Sequence, residues 1–266
     1  MPARFRTRLP AALHRLMAGA ALSSMLLLTA CGGGGTTTIV VAPPAPPAPT
    51  PTEIAGVAAD MQGRWQDSTG QTTALVLPIT SKGQAPTWMV NEGTLEVTRL
   101  DLVGSTGNTV KATGKRYGLN IAAGQTQTVT PIDWSGTVSI TATAGNLQFT
   151  GGPSLDRKDK LDAASVQLDA VGSWRATRGN GLVLTNVSID IAGNLSGNSS
   201  TGCVYSGRLG ARSDAAVYDV SLVEIGCDAN RIFSGVGSLS PQKDRLTLVV
   251  TLTDGSQAAL MAFVRQ

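Results

Sequence analysis

Histidine is all but missing from this chain. The one imidazole among 266 residues is His14, and it lies in an N-terminal stretch with the features of a cleaved signal. Without imidazole, Ser-His-Asp and Cys-His nucleophilic arrangements lose their base, and histidine-ligated metal sites lose their ligand. Aromatic residues make up only 4% of the chain, too few for the stacking platforms on which sugar sites usually rely. Charged residues are sparse at 15%. The only basic cluster, Arg157-Lys158-Asp159-Lys160, is broken by an acid. Nucleic-acid binding needs a concentrated positive face, so no nucleic-acid partner is expected. There is no Gly-x-x-x-x-Gly-Lys-Ser/Thr phosphate loop, because the glycines fall in turn contexts such as Gly104-Ser-Thr-Gly107 and Gly179-Asn-Gly181. No cofactor and no metal are expected.

What is present begins with an address. Arg4, Arg6, Arg8 and Arg15 give a positive start with no acid, and Leu16–Leu28 is apolar or small throughout. That run is shorter than the roughly 20 residues that span a bilayer as a helix, and it reads as a secretory signal. Gly32–Gly35 would end any helix abruptly. Leu28-Thr29-Ala30-Cys31-Gly32 follows the run and resembles the lipobox of bacterial lipoproteins. The resemblance implies that residues 1–30 are discarded and that Cys31 carries a diacylglycerol on sulfur and an acyl chain on nitrogen. Two or more chains anchor a protein stably where one does not. Glycine rather than Asp at the next position implies the outer membrane, with the periplasmic or surface face left open.

Once the signal is removed, the basic character goes with it. Four of the 21 Lys and Arg leave, so 17 face 18 acids and the net charge falls from +3 to about −1. Residues 31–52 then read as the lipidated cysteine and a tether, with Gly32–Gly35, a short apolar Thr36–Ala42, and Pro43–Thr52 dominated by Pro and Ala. Pro-rich chain rises about 3.1 Å per residue as polyproline II, so the last part alone spans roughly 30 Å.

The remainder reads as all-β. Leu246–Thr253 alternates apolar and mostly polar residues, Asp254-Gly255 follows, and Ala258–Val264 forms a second run. Asp-Gly between two such runs predicts a two-residue type I′ hairpin. Val187-Ser-Ile189-Asp-Ile191, Tyr218-Asp-Val220-Ser-Leu222 and Val138-Ser-Ile140-Thr-Ala142 alternate likewise, which puts one side of each strand in a core. Only Asp156–Ala170, the most charged segment, could hold a short helix, which is expected at Lys160–Ala164. That segment is taken as a junction, 156–167, between two small antiparallel β-barrel or sandwich units at 57–155 and 168–266. One continuous sandwich is the rival.

Gly63-Arg-Trp65 and Gly172-Ser-Trp174 stand 109 residues apart, and each precedes an apolar strand, Ala74–Leu77 and Leu182–Leu184. A Gly-x-Trp opening a meander resembles lipocalins, avidins and barrel-shaped bacterial protease inhibitors. The resemblance implies that Trp65 and Trp174 close one end of each barrel, with their N–H groups meeting carbonyls. Trp88 and Trp134 are expected near loops or strand starts, in ordinary packing. Gly56-Val-Ala-Ala-Asp60 is similar to the start of a surface-exposed meningococcal lipoprotein, and none of that family's ligands is carried over.

Cys203 and Cys227 remain as an even pair in an exported chain, where a disulfide is expected, with two free buried thiols as the rival. Carboxylate chemistry survives the exclusions. Asp67, Glu92, Asp133 and Glu224 are candidates for glycoside hydrolysis, which needs two spaced acids, but nothing in the sequence pairs them. Asp228 and Asp254 read as turn formers. Ser81-Lys82 lacks the Ser-x-x-Lys spacing of a Ser-Lys hydrolase. Asn186, Asn194 and Asn198 match a glycosylation pattern foreign to a lipobox protein and read as polar loops. The expected role is therefore non-enzymatic: binding, scaffolding or envelope maintenance through a protein partner, with the membrane held through the N-terminal lipid. A carrier with a small apolar ligand inside a barrel is the alternative, and a carboxylate-based hydrolase comes third. Ligand-binding residues and oligomeric state are not given by the sequence.

Overall fold

A computed structural model describes residues 61–104, 107–119, 126–141, 143–178, 183–227 and 230–266. The lipobox, Cys31, the tether and Gly56–Asp60 lie outside the described residues. The described chain forms two closed eight-stranded antiparallel barrels. The first comprises β1 (Gly63–Gln66), β2 (Thr72–Val76), β3 (Ala85–Asn91), β4 (Glu96–Gly104), β5 (Thr109–Gly118), β6 (Val129–Ile140), β7 (Gly145–Phe149) and β8 (Ser154–Asp159). The second comprises β9 (Gly172–Arg178), β10 (Val183–Ile189), β11 (Asn194–Ser199), β12 (Val204–Ala211), β13 (Tyr218–Ile225), β14 (Arg231–Leu239), β15 (Arg245–Leu252) and β16 (Ala258–Arg265). Each is an up-and-down meander closed by pairing of its last strand with its first, as in Trp65↔Arg157 and Trp174↔Arg265. Closure leaves no open sheet edge along the meander, which suits strands this rich in β-formers and this poor in charge.

Several local expectations shift. β8 runs to Asp159, so it carries the first barrel past the boundary at 155. Lys160–Ala164 is not helical. Among the described residues the one short helix, α1 (Gln167–Ala170), begins three residues later. Leu161 explains the change: it takes a left-handed φ of 50° and is buried between the barrels, and a helix would turn it away. The Asp254-Gly255 hairpin is also longer than two residues. Leu252 N–H bonds Gln257 O at 2.9 Å, Gly255 N–H bonds Leu252 O at 2.8 Å, and within that turn only Gly255 has positive φ, 66°. This is a type I turn followed by a left-handed glycine, the other common hairpin solution. Ile191 lies beyond the end of β10 and is 74% exposed. Asn186 and Asn198 are not in loops but face each other across β10 and β11, and Asn194 opens β11.

Alternation fails where a second burial surface exists. Leu248 and Val250 point into the second lumen, yet Val249 between them is also buried. It joins Leu75, Trp88, Val97, Tyr117, Val236 and Ala258 in a third apolar cluster between the barrels. The first barrel contributes the outer faces of β2–β5. The second contributes β14–β16 and the segment before β13. The two surfaces are different faces of the repeated unit, a heterologous contact that in principle could propagate. The free faces prevent this: Ser135, Thr137, Ser139 and Gln148 on one barrel, and Asn186, Ser188, Ser196, Asn198 and Ser206 on the other, are exposed and polar.

Polar latches fix the contact at both ends. Gln62 Nε2 donates to Leu161 O and Asp214 O at 3.0 and 2.8 Å. At the opposite end, Gln127 makes a reciprocal pair with Ala258: its Nε2 donates to the carbonyl at 3.1 Å and its Oε1 accepts the N–H at 2.6 Å. Lys115 and Tyr117 both donate to Gly255 O, at 2.9 and 3.1 Å.

Candidate functional site

The barrel lumens are the first place to look for a ligand, and both are packed. In the first, Trp65, Leu100, Leu102, Trp134, Leu147 and Phe149 are all buried, with the Trp134 and Phe149 rings 5.3 Å apart. The second holds Trp174, Tyr205, Leu209, Leu222, Phe233 and Phe263. A small barrel of this strand number is just wide enough for side chains to fill.

Trp65 and Trp174 are fully buried at equivalent positions. Their indole N–H groups donate to Met61 O and Ala170 O, each at 2.9 Å and each four residues back. An arginine from each barrel's last strand lies over the ring: Arg157 at 5.7 Å from the Trp65 centroid and Arg265 at 4.2 Å from that of Trp174. Arg265 also donates to Val171 O at 2.6 Å and to Lys243 O at 2.9 Å. The glycine of the motif has a reason too, since a Cβ on Gly63 would lie 2.6 Å from Asp159 O. The repeat therefore extends beyond Gly-x-Trp to a carbonyl and a distant arginine, which a three-residue motif does not disclose.

Trp88 and Trp134 sit within β3 and β6 rather than at loops or strand starts. Trp134 points into the first lumen. Trp88 points outward into the inter-barrel cluster, with Arg99 5.2 Å from its ring centroid.

Cys203 and Cys227 stand at disulfide distance, their Cα atoms 5.1 Å apart, at the end of the second barrel. Glu224 lies beside them, with a carboxylate oxygen and both sulfurs within 4.8 Å of one another. Arg231 occupies that carboxylate: its Nε donates to Oε1 at 2.7 Å, with Nη2 closer still. A guanidinium in contact with the only oxygen donor opposes a cation, so the trio does not make a metal centre.

The four candidate acids are not brought into a pair. Asp67 closes the β1–β2 turn, accepting from Thr69 at 3.0 Å. Slight burial opposes its charge, but hydrogen bonds from Thr72, Thr69 and Gly70 outweigh it and hold the carboxyl below its ordinary value. Glu92 is exposed after β3, Asp133 is exposed on the outer face of β6, and Glu224 is in the other barrel, bound to Arg231. Ser81 and Lys82 are exposed in a turn. The residues do not provide an acid and a base on either side of one bond.

Three clefts among the described residues lie outside the lumens. An open groove of about 540 Å³ crosses β5, β6 and β7. Two more flank the inter-barrel contact on either side of Trp88. One, of about 200 Å³, has Leu75, Val90, Val249 and Leu260 in its walls, and the other, of about 480 Å³, has Arg99, Asp101, Lys115 and Tyr117. In the second, the polar groups are already engaged: Arg99 pairs with Asp101 at 2.9 Å, while Lys115 and Tyr117 hold Gly255. These residues, like Gln127, were not singled out by sequence. The one available signal was an apolar Val249 at a position where alternation asks for a polar residue.

Comparison with known protein families, curated proteins and solved structures finds no match for this chain.

Proposed function

We propose that this chain is a lipid-anchored protein of the bacterial envelope, held at the outer membrane through Cys31, whose role is contact with other envelope components rather than catalysis or carriage. The observation that carries the reading is that both lumens are filled by large side chains while the candidate acids are scattered. A filled small barrel has no room for a carried molecule, and isolated carboxylates have no partner for acid–base work. The two barrels, latched at both ends of their contact, make one stiff body with broad neutral outer faces, which suits a scaffold or adaptor. In this reading the Cys203–Cys227 pair is oxidised in the envelope and staples the free end of the second barrel.

The test is photo-crosslinking in the native envelope. A photoreactive residue is placed at Thr137 on one free face and at Ser196 on the other. A contact protein gives discrete, reproducible adducts to envelope proteins from at least one face. Absence of adducts from both faces, with a small molecule co-purifying, contradicts the reading. Labelling with a radioactive fatty acid, lost in Cys31→Ser, tests the anchor.

A further inference from the structure

Among the described residues, exposed large apolar side chains gather at both ends of the second barrel, with Val204, Ile225 and Ile232 at one end and Val166, Leu168 and Ile191 at the end where the chain enters. Ile191 in the β10–β11 turn is 74% exposed, and Leu168 and Val166 at α1 are 68% and 51% exposed. Gln167 ties these two pieces together. Its Oε1 accepts Ala211 N–H at 3.0 Å, and its amide packs so close to the turn that a Cβ on Gly193 would lie 3.1 Å from Nε2. This is also the end at which the chain arrives. Sixty residues precede Met61, and Gln62 is bonded to Leu161 O, in the crossover that leads directly into α1, and to Asp214 O in the β12–β13 turn.

Aliphatic side chains on a helix and a turn tip, beside the attachment point of an anchored tether, have an evident occupant. We propose that this end of the second barrel faces the bilayer, and that Leu168, Ile191 and Val166 dip into the lipid interface. The proposal rests on the lipid-anchor reading for its geometry and adds the orientation of the folded body. Charge restricts the kind of lipid surface involved. The rim carries Lys243 paired with Asp169 at 2.7 Å, and Arg212 paired with Asp214 and Asp219 at 2.9 and 2.8 Å. Two cations against three acids, with the ionised carboxylates of Asp190 beside Ile191 and Asp244 in the β14–β15 turn, leave this rim acidic, so the contact is made by the apolar side chains and does not draw on anionic lipid. Three side chains give only weak association on their own. On an anchored protein the lipid supplies the local concentration, so they set orientation rather than affinity.

The experiment places a reporter at each end. The mature chain from Cys31 is coupled through that thiol to maleimide lipid in vesicles of phosphatidylcholine brominated on its acyl chains. Single variants Leu168→Trp and Ile191→Trp are compared with Val204→Trp, which opens β12 at the far end. The native tryptophans make a quiet background, because all four are at most 8% exposed. Side chains of an interfacial segment sit about 5–10 Å into the headgroup–acyl boundary, close enough for roughly twofold quenching at 168 and 191. Emission from 204 is expected to be unchanged. Double substitution Leu168→Asp with Ile191→Asp is expected to remove the preference, read as protection of that end from protease on vesicles. Equal quenching at all three positions, or stronger quenching at 204, overturns the proposal. Quenching at none, with crosslinks from position 168 to an envelope protein, also overturns it and assigns the patch to a protein partner. Because the anchor is supplied chemically, failure of the lipidation reading is seen separately, as loss of fatty-acid labelling.

Discussion

Replacing Gln127 by Ala tests how the two barrels are held together. The side chain is 9% exposed and Ala258 is equally buried. Its amide serves as one rung of a β-ladder, donating to Ala258 O at 3.1 Å and accepting from Ala258 N–H at 2.6 Å. Truncation leaves a buried donor and a buried acceptor without partners. Each such group costs about 1–3 kcal/mol, and partial entry of water brings the sum to about 2–4 kcal/mol. Against a total stability of about 5–15 kcal/mol that is a large fraction. For a folded unit of this size it corresponds to a fall in Tm of about 4–16 °C. Gln127→Glu keeps the acceptor but sets a buried carboxylate oxygen against Ala258 O, so at neutral pH it should be no more stable than the Ala variant. Thermal unfolding followed by circular dichroism reads the shift, and hydrogen exchange at the Ala258 amide reads its cause. A Gln127→Ala protein within about 1 °C of wild type, with Ala258 exchange unchanged, refutes the claim that this pair latches the barrels.

The cysteines should resist alkylation until reduced, and joint replacement by Ser should cost about 3 kcal/mol through the freed loop of the unfolded chain. Alkylation of Cys203 and Cys227 without reduction would return them to free thiols. Tyr218 donates to Val166 O at 2.8 Å. Burial, helped by the Asp169 charge, pushes its phenol up to about 12 from 10.0. A raised value favours the neutral form in the fold, so its contribution to stability is complete below the ordinary tyrosine value. It is lost as pH climbs from there through the folded value. Burial raises the Tyr117 phenol as well, so absorbance titration near the tyrosinate band should show late titration that is reduced, with its last step lost, in Tyr218→Phe.

The strands were legible because alternation is a local matter, repeated strand by strand. Tyr218, Val220 and Leu222 bury as their spacing asks, and Trp65 and Trp174 find carbonyls because an indole N–H in a core must. Barrel against sandwich could not be read, since both use the same alternation and differ only in whether β8 returns to β1 and β16 to β9. The contact between barrels was hidden for a different reason. It is built on outward positions, where Trp88, Tyr117 and Val249 look like exceptions to a pattern until a second body covers them. Leu161 is the same lesson in a loop: its side chain is claimed by that contact, and the local helical signal of Lys160–Ala164 gives way. The scattered acids were left unpaired by the sequence, and the fold keeps them apart on separate strands and turns.

Native mass spectrometry of the mature Cys31→Ser chain, exported to a periplasm and purified without denaturation, bears most directly on the central claim that both barrels are solid. The expected result is the bare polypeptide mass, lighter by the two hydrogens lost on forming the Cys203–Cys227 bond. Extra mass that disappears on denaturation would contradict it, since a retained molecule needs a cavity that packed lumens do not offer.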